Sequence, residues 1–153
     1  MHIFAMAMQK GGVGKTTTAV SVATYMAQAG ARVLLIDIDP QANATQALGI
    51  DLESLEYSVY EVLLNPNLGT AFATLQTDAG VDLIPSTLAL AGAELELAGK
   101  IGREQLLREA LETSTISYDY VLIDPPPTLG IFTLHSMADA QQVIVPLQVH
   151  VYA

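Results

Sequence analysis

Met8–Thr18 reads MQKGGVGKTTT and follows a short apolar run, His2–Ala7. Three glycines, Gly11, Gly12 and Gly14, leave little side-chain bulk between Lys10 and Lys15. Successive backbone N–H groups can therefore turn inward around an anion. Thr16 and Thr17 open a helical pattern, which aims the positive end of a helix dipole at the same point. Lys15 supplies a mobile ammonium for phosphate oxygens, and the Thr16 hydroxyl can ligate Mg²⁺. The stretch reads as a cradle for a triphosphate.

The general P-loop pattern is GxxxxGK[ST], and Gln9 stands where its first glycine would be. What remains is KGGxGKT, with Lys10 as an added lysine. The context that the motif requires, a strand before and a helix after, is met by the flanking residues.

At 153 residues one domain is expected, large enough to bury about 68–70% of its unfolded surface. Hydrophobic residues make up 51% and charged residues 14%, so much of the chain is core. No apolar run is long enough to span a bilayer. The N-terminus enters the first strand at once, which leaves no room for a signal peptide or a preceding DNA-reading domain. Cysteine is absent, which removes disulfides, thiolate catalysis and iron–sulfur ligation. A cytoplasmic protein is the expectation. Sixteen acidic residues against six basic ones argue against a nucleic-acid surface. Lys10 and Lys15 belong to the loop, and acidic residues flank Lys100, Arg103 and Arg108.

Along the chain, Ile3–Met8 reads as a buried strand and Lys15–Ala29 as an alanine-rich helix stopped at Gly30. Arg32–Asp37 is a continuous apolar run ending in a carboxylate, as in a strand covered on both faces. Strand, helix and strand in this length form a βαβ unit with a parallel pairing and a right-handed crossover. Asp37–Thr45 is then a polar loop at the carboxyl end of the sheet, where ligands bind in open parallel sheets. Its carboxylates, Asp37 and Asp39, can hold Mg²⁺ through water or orient an attacking water. Asp39 is the better catalytic candidate, and Asp37 lies nearer the strand and the metal. Short helices are expected at Val59–Leu64 and Ala71–Leu75, with a turn over Asn65–Gly69. A strand follows at Val81–Ser86, with helices at Leu88–Leu97 and Arg103–Glu112. Tyr120–Ile123 is a buried strand ending in Asp124, the placement P-loop proteins use for the carboxylate beside Mg²⁺. Three prolines then carry the chain out extended, Thr128–Gly130 opens a helical segment, and Gln142–Val149 is a last apolar strand. His2, His135 and His150 are too scattered for a metal site.

KGGVGKTTT, VLLIDIDPQANAT, LIPSTLALAGAELEL, YDYVLIDPPPTLG and VIVPLQVHVYA together resemble the ParA-type, Soj-like partition ATPases of the deviant Walker A group. The resemblance runs from the first strand to the last residue. It implies a three-layer α/β/α P-loop fold with a mainly parallel sheet, one nucleotide-binding domain over residues 1–153. It further implies a Mg²⁺-dependent ATPase that dimerises with ATP between its subunits. ATP would be held by Lys10, Gly11, Gly12, Val13, Gly14, Lys15, Thr16 and Thr17. Lys10 would reach the partner's nucleotide, Lys15 the β/γ-phosphates, Thr16 the Mg²⁺ and Thr17 the α-phosphate. Asp39 would position the attacking water, and Asp124 would be the Walker B carboxylate. In the family the ATP dimer binds DNA nonspecifically, which implies association with the nucleoid, and a ParB-like activator stimulates hydrolysis.

The departures are Met8 for a usual Asn, Ala42 for Gly, Pro125 before the usual Pro-Pro, His135 for Asn and His150 for Glu. Against the family pattern, the C-terminal strands and the basic patch are expected to be missing from these 153 residues, DNA binding is not expected of them, and Val143–Val149 is expected to be an exposed edge. The competing expectation is a shortened, non-catalytic module that binds nucleotide or another chain. A membrane-site regulator of the MinD kind would need an amphipathic terminal helix, and none is visible.

Overall fold

Alternating side chains of the central strands go to opposite faces of the sheet, as the two-residue period of an extended chain demands. In β2 (Val33–Asp37) all five residues are buried, and β5 (Tyr120–Asp124) is buried from its second residue onward. The computed structural model describes residues 1–7, 12, 14–97 and 99–147. Within these, β1 (His2–Met6), β2, β3 (Leu75–Gln76), β4 (Asp82–Ile84), β5 and β6 (Gln142–Ile144) form a six-stranded sheet ordered β3-β4-β2-β5-β1-β6. Every pairing is parallel except β3 with β4.

Helices cover both faces. Leu34, Ile36, Val121 and Ile123 pack under α3 (Val59–Leu64), α4 (Leu90–Leu97), α5 (Leu106–Thr113) and Phe132 of α6 (Ile131–Asp139). Val33, Leu35, Leu83 and Leu122 face α1 (Lys15–Gln28), whose Ala19 and Ala23 are small enough to bring the helix down on the strands, and Ala44 of α2 (Asn43–Ala47). Two cores on either side of one sheet give the expected α/β/α layers.

Differences from the sequence reading are local. Ala71–Leu75 is a 3₁₀ turn (Ala71–Ala73) followed by strand β3, because two paired residues are too few to show alternation. The polar loop after β2 contains α2, whose sequence NATQA has no apolar stripe to announce a helix. Arg103–Glu112 divides into a 3₁₀ turn, Arg103–Gln105, and α5. Strand β6 ends at Ile144, short of Pro146; residues 148–149 of the expected strand lie outside the described residues. The helix α3 has the expected limits. Ser58 and Glu61 close a capping box at its start, the Ser58 hydroxyl accepting from the Tyr60 N–H and the Glu61 carboxylate from the Ser58 N–H. Among the described residues no helix is long and apolar enough to cross a membrane.

Candidate nucleotide site

The carboxyl ends of β1, β5 and β2 lie side by side, so the segments leaving them converge. Gly14 enters α1 with φ 82°, a left-handed conformation that glycine adopts without strain. Lys15 is the first residue of α1 and is buried. Its ammonium lies 3.0 Å from Asp124 Oδ1 and donates to the Pro125 carbonyl. The Thr16 hydroxyl also meets the Asp124 carboxylate. Burial pushes the Asp124 carboxyl above the usual range, and the Lys15 charge works against that rise. Asp124 Oδ2 is buried and has no hydrogen-bond partner among the described residues.

Beside this pair a cavity of about 460 Å³ opens. Gly12, Gly14, Lys15, Thr16 and Thr17 form one wall, and Asp39, in the loop after β2, lines it with Asn43 and Ala47 of α2. Of the expected site residues, six (Gly12, Gly14, Lys15, Thr16, Thr17 and Asp39) thus share one cavity, with Asp124 reached through Lys15 and Thr16. Lys10, Gly11 and Val13 lie outside the described residues. Ser21 and Asn43 also line the cavity and were not singled out in the sequence. Ser21 stands one helical turn after Thr17, a spacing that puts both on one face. Asn43 belongs to a helix that periodicity does not reveal.

Asp37, expected beside the metal, turns both oxygens toward the following loop in the structure. It is fully buried. Oδ1 accepts from the Asp39 N–H at 3.1 Å. Oδ2 accepts from the Thr45 N–H at 2.8 Å and the Thr45 hydroxyl at 2.7 Å. Thr45 Oγ1 in turn accepts from the Ser86 N–H at 3.0 Å. Burial, partly offset by these donors, raises the Asp37 pKa to about 6. Asp37 is in register with Asp124 on the neighbouring strand, yet it ties the loop to α2 and does not line the cavity. The loop makes its turn at Ala42, whose φ of 55° is the one positive value on a non-glycine residue among those described. Asp39 Oδ1 accepts from the Gln41 N–H at 2.9 Å, so one oxygen holds the turn.

The residues fit a divalent cation held beside phosphate. The orphaned Oδ2 of Asp124 and the Thr16 hydroxyl supply oxygen donors at one point, which suits a hard ion. No group of three His, Cys, Asp or Glu residues able to hold a metal occurs among the described residues. Such an ion would therefore complete its shell with phosphate and water oxygens.

The AAA domain family profile matches residues 1–153. The sporulation initiation inhibitor protein Soj of Bacillus subtilis is 45% identical over 151 residues, covering 99% of this chain and 60% of that protein. Cobyrinic acid a,c-diamide synthase from Mycobacterium smegmatis, solved with a bound ATP analog and magnesium, superimposes with a TM-score of 0.91 at 45% identity, covering 96% of this chain and 60% of that one. A plasmid partition protein from Borrelia burgdorferi superimposes with a TM-score of 0.82 at 33% identity, covering 99% of this chain and 68% of that one. The chain spans about 60% of the length of the curated relative Soj. On its profile match, its identities and the P-loop cavity, the chain belongs to the AAA domain family and, within it, to the ParA-type, Soj-like partition ATPases.

Proposed function

We propose that this chain binds Mg·ATP in the cavity at the head of α1 and hydrolyses it slowly, as the nucleotide-binding part of a partition ATPase serving chromosome or plasmid segregation. The observation that carries the reading is the meeting of Lys15, Thr16 and Asp124 on one side of the cavity with Asp39 on the other. Magnesium supplies charge neutralisation of the phosphates when bound, with Thr16 as its protein ligand and Asp124 holding its water. Lys15 leaves Asp124 for the β/γ-phosphate oxygens, while the N–H groups at the start of α1 face the phosphates. Asp39 uses one oxygen to hold its own turn and keeps the other for the attacking water. The Asp37–Thr45 bonds set the position of that turn.

Lys10 acts across an ATP-dependent homodimer on the partner's phosphates, and a ParB-like activator speeds turnover. At a net charge of −10 these 153 residues have little attraction of their own for nonspecific DNA. Calorimetry with Mg·ATP, followed by a turnover assay, tests the reading. Wild type should bind saturably. Asp39→Ala should keep its affinity within about threefold and lose turnover by about a hundredfold or more, since a water-positioning group acts in the transition state. Lys15→Met should abolish binding; because it strands a buried carboxylate, the Lys15→Met/Asp124→Asn double variant serves as the folded control. Lys10→Ala should bind ATP yet fail to dimerise in sedimentation. A folded wild-type chain that binds no nucleotide would overturn the proposal.

A further inference from the structure

A second cavity, about 630 Å³, opens at the β3 edge of the sheet, opposite the β6 edge. Leu75 of β3 and Phe72 line its apolar part, and Tyr57 stands edge-on to Phe72 with ring centroids 5.4 Å apart. Tyr57 is 42% exposed, an open aromatic ring beside the groove. Asp51, Glu56 and Gln76 add charge and polarity to the lining, which contains no Lys, Arg or His. The Glu56 carboxylate is in hydrogen-bond contact with the Tyr57 hydroxyl, so negative charge and an aromatic ring share one spot. That pairing suits a guanidinium or ammonium group, which gains from both the carboxylate and the ring.

Strand β3 is the terminal strand of the sheet and pairs only with β4 among the described residues. Its outer backbone edge is therefore available to an extended segment. Two residues offer a short ladder, so side-chain contacts in the groove must supply most of the specificity. Nucleic acid and anionic lipid carry the wrong charge for this rim.

We propose that the groove docks an extended, basic peptide segment of a partner protein, with one cationic side chain against the Glu56 carboxylate and the Tyr57 ring and an apolar one against Phe72 and Leu75. The site stands apart from the nucleotide cavity, and docking does not depend on Lys15 or Asp39. Segment α2 runs between the two: Asn43 and Ala47 line the nucleotide cavity, and Gly49 and Ile50 line the groove.

Fluorescence anisotropy with a labelled peptide of about twelve residues alternating Arg and Leu tests the docking, with Glu in place of Arg as the comparison peptide. Saturable one-to-one binding of the basic peptide, weakened by salt, is expected, and none of the acidic one. Glu56→Lys should lower the affinity about tenfold, two rim-type charge effects combined. Asp51→Asn, which keeps the oxygen that caps the following turn, should lower it about twofold. Glu109→Lys makes the same charge change on an exposed position of α5 and should leave affinity within about twofold. Equal weakening by Glu56→Lys and Glu109→Lys would reduce the effect to net charge and overturn the proposal. Absence of saturable binding would do the same.

Discussion

Replacing Thr45 by valine removes one oxygen from the network behind the nucleotide cavity and nearly keeps the side chain's volume. Thr45 is fully buried. Its Oγ1 donates to Asp37 Oδ2 at 2.7 Å and accepts from the Ser86 N–H at 3.0 Å. Valine leaves the Asp37 carboxylate with one donor fewer and the Ser86 N–H without its acceptor. A hydrogen bond to a charged group contributes about 1.5–3 kcal/mol, and an unpaired buried donor costs about 1–3 kcal/mol. Together they predict a loss of about 3–5 kcal/mol, or a fall in Tm on the order of 10 °C for a domain of this size. Thermal and urea unfolding followed by circular dichroism at pH 7.5 measure it. The loss should shrink at pH 5, because Asp37, with its pKa raised to about 6, is then protonated in the folded state and the bond is neutral. In an Asp37→Asn background the same substitution should cost only about 1–2 kcal/mol. A loss below about 1 kcal/mol, or an equal loss in both backgrounds, would refute the assignment of Asp37 as the carboxylate that ties the loop to α2.

Ala42 is buried with φ 55°, so a β-branched residue there meets both backbone strain and crowding. Ala42→Val should lose more than about 2 kcal/mol in urea unfolding. Ala42→Gly should stay within about 1 kcal/mol of wild type, because relief of the left-handed strain is offset by chain entropy and a lost buried methyl. The fully buried His135 has its pKa lowered by burial to about 4, below its ordinary unfolded value. Its contribution to stability is present above about pH 6.5 and is lost as pH falls toward 4. Asp37 and Asp139, both raised to about 6 by burial, act in the opposite sense: they favour the folded state at low pH, and that contribution is lost as pH rises through 6. Comparing wild type with His135→Asn isolates the histidine, and the variant should gain about 2 kcal/mol relative to wild type between pH 7 and pH 5. A constant difference across that range would contradict the buried neutral imidazole.

Much of the architecture was legible because its strongest elements carry their signal locally. Arg32–Asp37 and Tyr120–Asp124 are apolar runs ending in a carboxylate, and the fold places both in the middle of the sheet, in register. The glycine-rich stretch before Lys15 announced the helix α1, and a cavity lies at its head. What escaped is what depends on neighbours distant in sequence. Strand β3 exists only because β4 lies beside it, and α2 has no apolar stripe of its own. Asp37 and Asp39 look equivalent in the sequence, two residues apart in one polar loop. The hydrogen bonds from Thr45, with the backbone of β4's end behind it, separate their roles. The Lys15–Asp124 contact spans 109 positions and joins two residues that the sequence reading assigned to phosphate and metal separately.

That contact has a consequence for selectivity. Lys15 and Asp124 neutralise each other, so a simple anion such as sulfate meets a lysine whose charge is already matched, and a bare cation meets an equally matched carboxylate. Either ion alone must separate a buried pair and strand one member of it, a cost of several kcal/mol. A ligand that brings a cation and an anion together gives each partner a replacement at once. Under the function proposed above, Mg²⁺ and nucleotide then raise each other's affinity by the same factor, as linkage requires. On that proposal the ion pair would act as a filter against the abundant phosphates of the cell, admitting the metal–nucleotide complex as one unit.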